Sequence, residues 1–483
     1  MGLSDLRDGL RSYLEKGYCS FHTPGHKGRQ EFFCGVDFPG SDLTELPGLD
    51  MLHAPAGIIA EAQAKAAGIF GAEESFFLVN GATVGNQALL LALPDTGPVL
   101  VSRAAHRSVF SGLILSGHRV TYARPVIHPE FNLPLGLETD EIIGAWAGAA
   151  ACYVTYPTYY GSCCDLEALL KARDEDFPRL PVLVDQAHGA HYLGALFPPG
   201  ALALGADAAV HSTHKTLSAL TQGAMLHVQG QRLDRARLRQ GLELLQTSSP
   251  SYLLLASLEQ GADSALVQGH WEELRLEVEQ IHRGLEGRLR LLDAKDEQTL
   301  GIAQVDWSKI LVNTRPLGIS APVCVEFLRR RFGIEPELWD HENILFLLGI
   351  GSTPADVRLL RRGLESLLEP EFRHEAGVRS GVGFGKSNRL KPVLPAMLLP
   401  PLPPQRLTPR QAFFSKKRLV PLSESLGHTS GETISPYPPG IPVVVMGEIL
   451  TEEVLELLRS EEERLWQGWE RAGEKRIWIV EDD

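Results

Sequence analysis

The chain has 483 residues, 44% of them hydrophobic and 22% charged, which predicts a folded protein with a large core rather than a disordered one. Its formal net charge of −14 argues against nucleic acid and anionic membranes as main partners. No apolar run approaches the roughly 18 residues that span a bilayer, and the first residues, MGLSDLRDGLRSYLEKG, are too charged for a signal peptide.

The six cysteines show no zinc-finger spacing and are sparse for so long a chain, which fits reduced thiols in a cytosol. At about 150 residues per domain, the length favours two to four domains. The sequence therefore predicts a cytoplasmic, multidomain protein without a metal site.

The N-terminal segment combines a short amphipathic helix with a polar loop. We expect the helix over Leu3–Glu15 and the loop over His22–Gly28, where one proline and two glycines favour turns. A loop rich in His, Thr and Lys is either part of a site or a plain polar connection, and these residues alone do not decide between the two. An Ala-rich helix is predicted next, over Gly57–Phe70.

A strand, a small-residue turn and a helix then follow one another, an arrangement that favours anion binding. The strand is expected over Ser75–Asn80, the turn over Gly81–Asn86 and the helix over Gln87–Leu93. Backbone N–H groups and the helix dipole at such a turn attract phosphate. Many α/β turns share this pattern, so it has weight only where other residues imply a phosphate. The candidate contacts are Gly81, Ala82 and Thr83.

Three further strands are predicted at Val99–Ser102, Arg119–Ala123 and Ala151–Thr155, and candidate side chains follow two of them. His106 follows the first strand, and its flat, partly apolar ring suits stacking on a cofactor ring. The alternative for this residue is a helix-capping or hydrogen-bonded histidine. Thr158 follows the third strand, where it either meets the edge of a cofactor or is a plain turn hydroxyl.

Two short apolar runs end in the residues with the clearest chemistry. The run Pro181–Val184 ends in Asp185, and the run Ala206–Val210 leads within five residues to Lys215. Such runs suit strands buried on both faces of a parallel sheet, whose functional groups lie past the carboxyl ends. A lysine and an acid so placed suit pyridoxal phosphate, which binds a lysine covalently and pairs its pyridinium nitrogen with an acid. Taken singly, the acid is more often a helix cap and the lysine a solvated surface residue.

The alternation of strands and helices predicts an α/β fold with a mostly parallel sheet and helices on both faces. Residues 377–404, rich in Gly and then in Pro, are predicted to be a linker. The remaining expected elements are strand Gly223–Val228, helices Arg232–Leu245, Leu253–Gln260, Glu272–Leu292 and Val323–Phe332, strand Ile344–Gly349, helix Ala355–Leu368, strand Val443–Met446 and helix Glu452–Arg459.

The predicted division of the chain has five parts. They are an N-terminal helix and loop (1–40), a large cofactor-binding domain (41–270), a small α/β domain (271–375), a Pro/Gly-rich linker (376–407) and a C-terminal domain (408–483).

Together these motifs resemble the pyridoxal-phosphate-dependent ornithine/lysine/arginine decarboxylases of fold type I, over nearly the whole chain. The motifs that carry the resemblance are His22-Thr-Pro-Gly-His-Lys-Gly28, Asn80-Gly-Ala-Thr83, Tyr156-Pro-Thr-Tyr-Tyr-Gly161, Asp185-Gln-Ala-His-Gly-Ala-His191, Ser212-Thr-His-Lys-Thr216, Thr408-Pro-Arg-Gln-Ala-Phe-Phe414 and Ser435-Pro-Tyr-Pro-Pro-Gly-Ile-Pro442. The Ser-Thr-His-Lys motif is specific in this setting, whereas the phosphate turn is not. The resemblance implies a mostly parallel, seven-stranded sheet in a large domain, a smaller α/β domain and a C-terminal α+β domain.

The resemblance also implies a role for each candidate residue. Lys215 would bind the cofactor covalently, Asp185 would hold its pyridinium nitrogen and His106 would stack on its ring. Gly81, Ala82, Thr83, Ser212 and His214 would surround the phosphate, with Thr158 and His188 at the ring edge. Thr247, Ser248 or Ser249 would reach the phosphate of a partner subunit, because family sites lie at the interface of a homodimer or dimer-based oligomer.

Two departures from the family pattern stand out. Position 186 is Gln where an acid is expected beside the cofactor acid, which leaves the local charge open but not the cofactor. The chain also resembles the shorter form of the family, without the extra N-terminal domain of the acid-induced enteric enzymes.

The implied reaction is decarboxylation of a basic L-amino acid to an amine and CO₂, with arginine preferred by analogy over lysine and ornithine. The proton returned to Cα would come from Lys215 or a nearby histidine. The alternatives are another fold-type-I reaction, such as transamination or aldol cleavage, and a non-catalytic regulatory paralogue. Retention of both Asp185 and Lys215 speaks against the last of these.

Overall fold

A computed structural model of the chain describes residues 13–33, 40–94, 97–375, 401–437, 441–460, 465–469 and 471–481. Most of the predicted helix Leu3–Glu15 and residues 376–400 of the predicted linker lie outside the described residues. So does the Pro-Pro-Gly stretch 438–440.

The elements alternate along the chain as the sequence predicts. The α-helices are Ile58–Phe70, Gly81–Ala92, Arg107–Ser116, Thr139–Gly144, Leu166–Asp176, Thr213–Thr216, Arg235–Leu245, Tyr252–Ser264, Gln268–Leu285, Ala321–Phe332, Pro354–Ser366, Pro370–Glu375, Pro409–Phe414 and Glu452–Ser460. The strands are β1 Cys19–Phe21, β2 Glu74–Leu78, β3 Val99–Ser102, β4 Val120–Ala123, β5 Pro125–His128, β6 Leu133–Leu137, β7 Ala151–Thr155, β8 Ser162–Cys163, β9 Val182–Asp185, β10 Ala208–His211, β11 Ala224–Val228, β12 Arg290–Leu291, β13 Gln304–Val305, β14 Lys309–Asn313, β15 Ile334–Pro336, β16 Leu338–Trp339, β17 Asn343–Leu347, β18 Lys417–Pro421, β19 Ser435–Tyr437, β20 Leu465–Gln467 and β21 Arg476–Val480.

A seven-stranded sheet in the order β2-β11-β10-β9-β7-β3-β4 forms the centre of the fold. All neighbouring strands from β10 to β4 are parallel, and only β11 runs antiparallel to its neighbours. The mostly parallel, seven-stranded sheet is therefore confirmed. The apolar runs in β3, β7, β9 and β10 are buried along most or all of their length, because helices cover both faces.

The carboxyl ends of β7, β9 and β10 lie side by side. Asp185 is paired with Thr155 of β7 and with Val210 of β10. The loops that leave these three strands therefore begin next to one another, and Lys215 follows β10 by four residues.

A second, antiparallel sheet has the order β12-β14-β17-β16. Helices Gln268–Leu285 and Pro354–Ser366 contact one another, and their buried apolar faces share one core cluster with this sheet and with part of the large sheet. The C-terminal segment has its own cluster, to which the β18–β21 pair contributes. No helix in the described ranges is long and apolar enough to cross a membrane.

Two predicted helix starts are confirmed by their capping contacts. Thr353 forms a reciprocal capping box with Asp356 at the start of Pro354–Ser366. Ser251 accepts a hydrogen bond from the Leu254 N–H at the start of Tyr252–Ser264.

Three predicted elements are wrong in type or extent. Residues 81–86 are not a turn but the first helical residues of Gly81–Ala92. Glycine at position 85 lets that helix approach Leu78 and Val210 closely. The predicted helix Glu272–Leu292 ends at Leu285, and the chain then pairs with β14 as β12.

The predicted strand Val443–Met446 does not form, although Val444 makes one isolated bridge to Ile434. The N–H of Val445 donates to the Glu448 carboxylate and that of Met446 to the Thr433 hydroxyl. Side chains therefore take the donors that a strand ladder would need.

The N-terminal loop packs directly against the backbone around Lys215. The Gly25 N–H donates to the His214 carbonyl, and the Gly25 carbonyl accepts from the Gly351 N–H. A Cβ atom on Gly25 would lie 2.5 Å from the Thr216 carbonyl carbon and 2.7 Å from the Leu217 carbonyl oxygen. Glycine is required here because two backbones meet, not because of an unusual φ.

We expect Gly25→Ala to push the N-terminal loop away from the Lys215 turn. The clash involves backbone atoms that cannot rotate aside, so the free energy of unfolding should fall by about 1–3 kcal/mol. Urea titration of Gly25→Ala beside Gly28→Ala, whose added Cβ would meet no atom within 4 Å, measures the effect. Because Gly28 has φ +75°, the control reports strain without a clash. Equal losses in the two variants would contradict the close approach.

Candidate active site

A buried carboxylate lies at the carboxyl end of β9. Asp185 is 2% exposed, and its Oδ1 accepts a hydrogen bond from the Ala187 N–H at 3.0 Å. Its Oδ2 accepts from the Asn86 amide at 2.9 Å. The same amide donates to Ser108 Oγ at 2.8 Å, and Asn86 Oδ1 accepts from the Tyr153 hydroxyl at 2.7 Å. Helix Gly81–Ala92 and strand β7 thus orient the carboxylate.

The Lys215 amine lies close to a histidine on the loop that follows Asp185. Lys215 belongs to the short helix Thr213–Thr216, and its Nζ is 2.8 Å from His188 Nε2. Loss of water around the amine lowers the pKa of Lys215, while the negative charges of Asp185 and Glu337 oppose this shift. Both carboxylates therefore act electrostatically on the lysine.

His188 is held neutral between several cationic groups. Burial, followed by the charges of Lys215 and Lys309, lowers its pKa well below the usual range. Its ring lies 4.5 Å from the Tyr159 ring, centroid to centroid. The buried His188 Nδ1 has no hydrogen-bond partner among the described residues. A neutral imidazole hydrogen-bonded to an amine is suited to orient that amine without taking its proton.

His106 is the N-cap of helix Arg107–Ser116. Its Nδ1 accepts from the Ser108 N–H at 3.3 Å and lies 2.8 Å from Ser108 Oγ. The capping alternative is therefore confirmed. The His106 side chain reaches solvent. Partial desolvation is nevertheless the main cause of its lowered pKa, and the negative charge of Asp185 opposes this shift. The cap engages only Nδ1, and the negative charge of Asp185 acts on the ring.

The predicted phosphate residues lie in neighbouring segments. Gly81 has φ +75°, and helix Gly81–Ala92 begins without a side-chain cap, so its first N–H groups remain available for an anion. The Gln222 carbonyl lies against Gly81, and the adjacent Gly223 carbonyl is 2.9 Å from His214 Nδ1. Burial lowers the pKa of His214 to about 4, so its imidazole is neutral at pH 7.

The remaining predicted contacts lie less directly on the site. Ser212 is buried at the N-terminus of helix Thr213–Thr216. Thr158 Oγ1 lies 2.7 Å from Ser162 Oγ, so its hydroxyl has a partner within its own turn. Ser248 and Ser249 are exposed on the loop before helix Tyr252–Ser264. The nearby Gln246 side chain accepts a hydrogen bond from the Val79 N–H.

Gln186 has a structural explanation. Its amide donates to the Gly189 carbonyl at 2.7 Å, and its oxygen accepts from the Ala201 N–H at 2.8 Å. An ionised acid at this position would accept the second bond but would have no hydrogen to donate to Gly189. The glutamine therefore stabilises the His188 loop without adding charge.

Three site residues are absent from the sequence-based prediction. Asn86 orients Asp185; Lys309 Nζ donates to the His188 carbonyl at 2.9 Å; and Glu337 accepts from the Tyr159 hydroxyl at 2.6 Å and from the Thr23 N–H at 2.8 Å. Asn86 is the last residue of the predicted turn Gly81–Asn86, which was the only available signal. Lys309 and Glu337 are more than ninety residues from Lys215, and nothing in their local sequence marks them.

The fully buried Lys309 lies beside Asp306, which in turn lies beside His191. Its Nζ lies 3.9 Å from Asp306 Oδ2, and Asp306 is 3.3 Å from His191 Nε2. Burial lowers the pKa of Lys309 to about 8, against the opposing charge of Asp306. The pair supports the loop that carries both His188 and His191.

A wide groove and a cluster of side chains of metal-binding type both lie elsewhere. The groove, of about 980 Å³, is lined by the end of helix Gln268–Leu285, by residues 286–297 and by Phe197 and Trp307. Among the described residues, the cluster is His128, Glu130 and Asp296. Arg290 already hydrogen-bonds to both acids, so a guanidinium occupies the position of a cation.

The residues around Asp185 fit pyridoxal phosphate. Asp185 is buried, and the two groups that donate to it, the Asn86 amide and the Ala187 N–H, are uncharged, although a buried carboxylate is costly without a balancing charge. A protonated ring nitrogen would supply that charge. The uncapped helix N-terminus at Gly81 suits a phosphate, and the Asp185 charge acts on the Lys215 amine.

Comparison with known proteins gives consistent matches along the chain. Residues 5–309 match the family model "Orn/Lys/Arg decarboxylase, major domain", and residues 394–466 match "Orn/Lys/Arg decarboxylase, C-terminal domain". The uncharacterized protein YaaO of Bacillus subtilis is 35% identical over 473 residues, covering 94% of this chain and 93% of its own length. An arginine decarboxylase of Bacillus anthracis is 33% identical over 470 residues, covering 93% and 91%.

A solved structure shows the same fold. The crystal structure of the Francisella novicida lysine decarboxylase LdcF matches with a TM-score of 0.75 at 21% identity. The match covers 98% of this chain and 81% of that one. At this identity the match shows the fold alone, which is the fold type I architecture of pyridoxal-phosphate-dependent enzymes.

We expect Asn86→Leu to disturb Asp185 more than a comparable substitution elsewhere. It removes the donor to Asp185 and leaves the Tyr153 hydroxyl unsatisfied, so the free energy of unfolding should fall by about 3 kcal/mol. Asn313→Leu removes another buried, hydrogen-bonded amide, in the second sheet, and serves as the control. Titration with pyridoxal phosphate should show weaker binding for Asn86→Leu only. Equal binding by both variants would contradict the role of Asn86.

We also expect the stability of the protein to depend on Lys309 at alkaline pH. In the folded state its pKa is about 8, whereas the pKa of a lysine in the unfolded chain is 10.5. The unfolded state binds more protons between these values, so this group's contribution to stability rises with pH in that window. Between pH 8 and pH 10, the free energy of unfolding of the wild type should therefore rise by roughly 2 kcal/mol relative to that of Lys309→Met.

Urea titrations of the cofactor-free proteins at both pH values measure this difference. The exposed Lys171→Met variant is the control and should follow the wild type. A constant difference between wild type and Lys309→Met across the window would contradict a deprotonating, buried Lys309.

Proposed function

The chain belongs to the Orn/Lys/Arg decarboxylase family of carboxy-lyases, and from this we propose that it decarboxylates a basic L-amino acid with pyridoxal phosphate, arginine being the preferred substrate. The products would be the corresponding amine and CO₂. The observation that carries the proposal is the placement of Lys215 and Asp185 at adjoining strand ends, with the Lys215 amine 2.8 Å from His188 Nε2.

The site's geometry supports the proposed cofactor-binding roles. Asp185 would hold the protonated ring nitrogen, and His106 would place its accessible ring against the cofactor ring. The N-terminus of helix Gly81–Ala92, through Gly81, Ala82 and Thr83, would bind the phosphate together with Ser212 and His214. Thr158 is proposed to lie at the ring edge beside His188. When bound, pyridoxal phosphate supplies an electron sink for the bond that loses CO₂.

Lys215 is the proposed proton donor, and His188 is the residue that would orient it. The Lys215 amine, with its pKa lowered by desolvation, would give a proton to Cα of the product. His188 Nε2 lies 2.8 Å from that amine and is neutral, so it would hold the amine in place without competing for its proton. Desolvation in this region limits exchange of the proton with water.

Glu337 is the proposed contact for a cationic substrate. It is partly exposed, and its charge acts on Lys215, Lys27 and His214. A carboxylate that faces these groups would attract a basic substrate. The preference for arginine is supported by the relative from Bacillus anthracis, which carries that name.

The proposed assembly is a cytoplasmic homodimer, or an oligomer of dimers, with sites at the subunit interface. The exposed Ser248 and Ser249 would then reach the phosphate of the partner's site. We also propose the five-part division of the chain, with boundaries after residues 40, 270, 375 and 407.

The decisive experiment supplies the purified protein and pyridoxal phosphate separately with arginine, lysine and ornithine. We expect arginine to give CO₂ and its amine, with kcat/KM about tenfold or more above that for the other two. Lys215→Ala should lower the rate by about a thousandfold or more, because it removes the covalent and proton-transfer group.

Lys171→Ala, on the surface of helix Leu166–Asp176, is the control and should retain full activity. Preferred turnover of lysine or ornithine would overturn the arginine assignment alone. Cofactor binding without release of CO₂ from any of the three would overturn the proposed reaction.

A further inference from the structure

A buried ion pair joins the C-terminal segment to the loop that carries His106. Arg103 Nη1 and Nη2 donate to the two carboxylate oxygens of Glu448, each at 2.7 Å. Arg103 Nε donates to the Pro442 carbonyl at 3.0 Å. Both side chains are nearly inaccessible, with 2% and 1% exposure. The two residues are 345 positions apart, so the pair is a purely tertiary contact.

The environment of the pair restricts its geometry. The Arg103 guanidinium lies over the Tyr122 ring at 4.6 Å from the centroid. Glu448 Oε2 also accepts from the Val445 N–H at 2.7 Å. A planar guanidinium with donors fixed on two sides allows little rotation, unlike an apolar contact. The pair therefore holds the backbone at Arg103 in one position.

This position matters because His106 follows Arg103 by three residues. Strand β3 ends at Ser102, and Arg103 N–H donates to the Ala123 carbonyl of the neighbouring strand. Helix Arg107–Ser116 then begins at His106 as its N-cap. The direction of the His106 ring is thus set between the ion pair and the first turn of the helix.

The C-terminal segment also holds the other end of this helix. The exposed Arg410 donates from Nη1 to the Leu115 carbonyl at 2.7 Å and to the Ile114 carbonyl at 3.2 Å. These are carbonyls of the last helical turn, which lack partners within the helix. Helix Pro409–Phe414 packs against helix Arg107–Ser116 as well. Both ends of the His106 helix are therefore fixed by residues from 409 onward.

We propose that Arg103 and Glu448 are positioning residues, through which the C-terminal segment fixes His106 in the orientation that binds the cofactor ring. The inference rests on the proposed role of His106 in the active site. It assigns to the C-terminal segment a function in cofactor binding within its own chain. If burial of apolar surface alone attached the C-terminal segment, no directional ion pair would be needed at this place.

The test separates positioning from stability with three variants and a matched control. Arg103→Met and Glu448→Leu each leave one buried charge unpaired, which destabilises the fold. The double variant Arg103→Met/Glu448→Leu removes both charges and should recover much of the thermal stability. The control, Arg173→Met, breaks another buried pair, to Asp207 at 2.7 Å, whose partners do not touch the His106 helix.

Two measurements read the outcome. Titration of the cofactor-free protein with pyridoxal phosphate gives Kd, and amide hydrogen exchange of residues 106–116 in the same cofactor-free protein reports the local order. We expect both single variants and the double variant to raise Kd about tenfold and to speed exchange at the start of the helix. Arg173→Met should lower Tm without either change.

The outcomes bear on the proposal in different ways. If the double variant regains wild-type Kd together with its Tm, or if Arg173→Met raises Kd equally, the pair is merely structural and the proposal is overturned. If a single variant does not fold, Glu448→Gln, which keeps the shape and loses the charge, should show a smaller rise in Kd. If the wild type binds no pyridoxal phosphate, the proposed function fails, while exchange in residues 106–116 still tests the positioning.

Discussion

The burial of one carboxylate constrains the whole active site. Asp185 lies at the end of a central strand, out of contact with water, and a charge in such a place is stable only when it is hydrogen-bonded and electrically balanced. Asn86 and the Ala187 N–H satisfy its oxygens, but neither carries a charge. Lys215 supplies positive charge at longer range, and the protonated ring nitrogen of the proposed cofactor would supply the rest.

Segments far apart in sequence converge on this carboxylate and on Lys215. The N-terminal loop meets the Lys215 turn through the close backbone contact at Gly25. Lys309, at the first position of the second sheet's strand β14, supports the carbonyl of His188. Glu337 joins the N-terminal loop to Tyr159. The small sheet and the N-terminal loop are thus parts of the site, not merely its scaffold.

Several of these features could be predicted from local sequence, and several could not. Short apolar runs bounded by turns identified β3, β7, β9 and β10, because strands buried on both faces require such runs. The end of helix Gln268–Leu285 was missed because its amphipathic pattern continues into a segment that pairs with β14 instead. The segment Val443–Met446 was mistaken for a strand because its apolar residues face a core while its N–H groups bind side chains.

The sequence by itself determined the chemistry of this protein: Asp185, Lys215 and His188 follow strand ends within one α/β alternation, and their motifs identify the family. Tertiary structure alone decided how these groups are held. Asn86, Lys309, Glu337 and the Arg103–Glu448 pair act across tens to hundreds of residues, and each is an ordinary polar residue in its local sequence. A buried polar side chain is defined by the partner that satisfies it, and that partner is fixed only when the chain has folded.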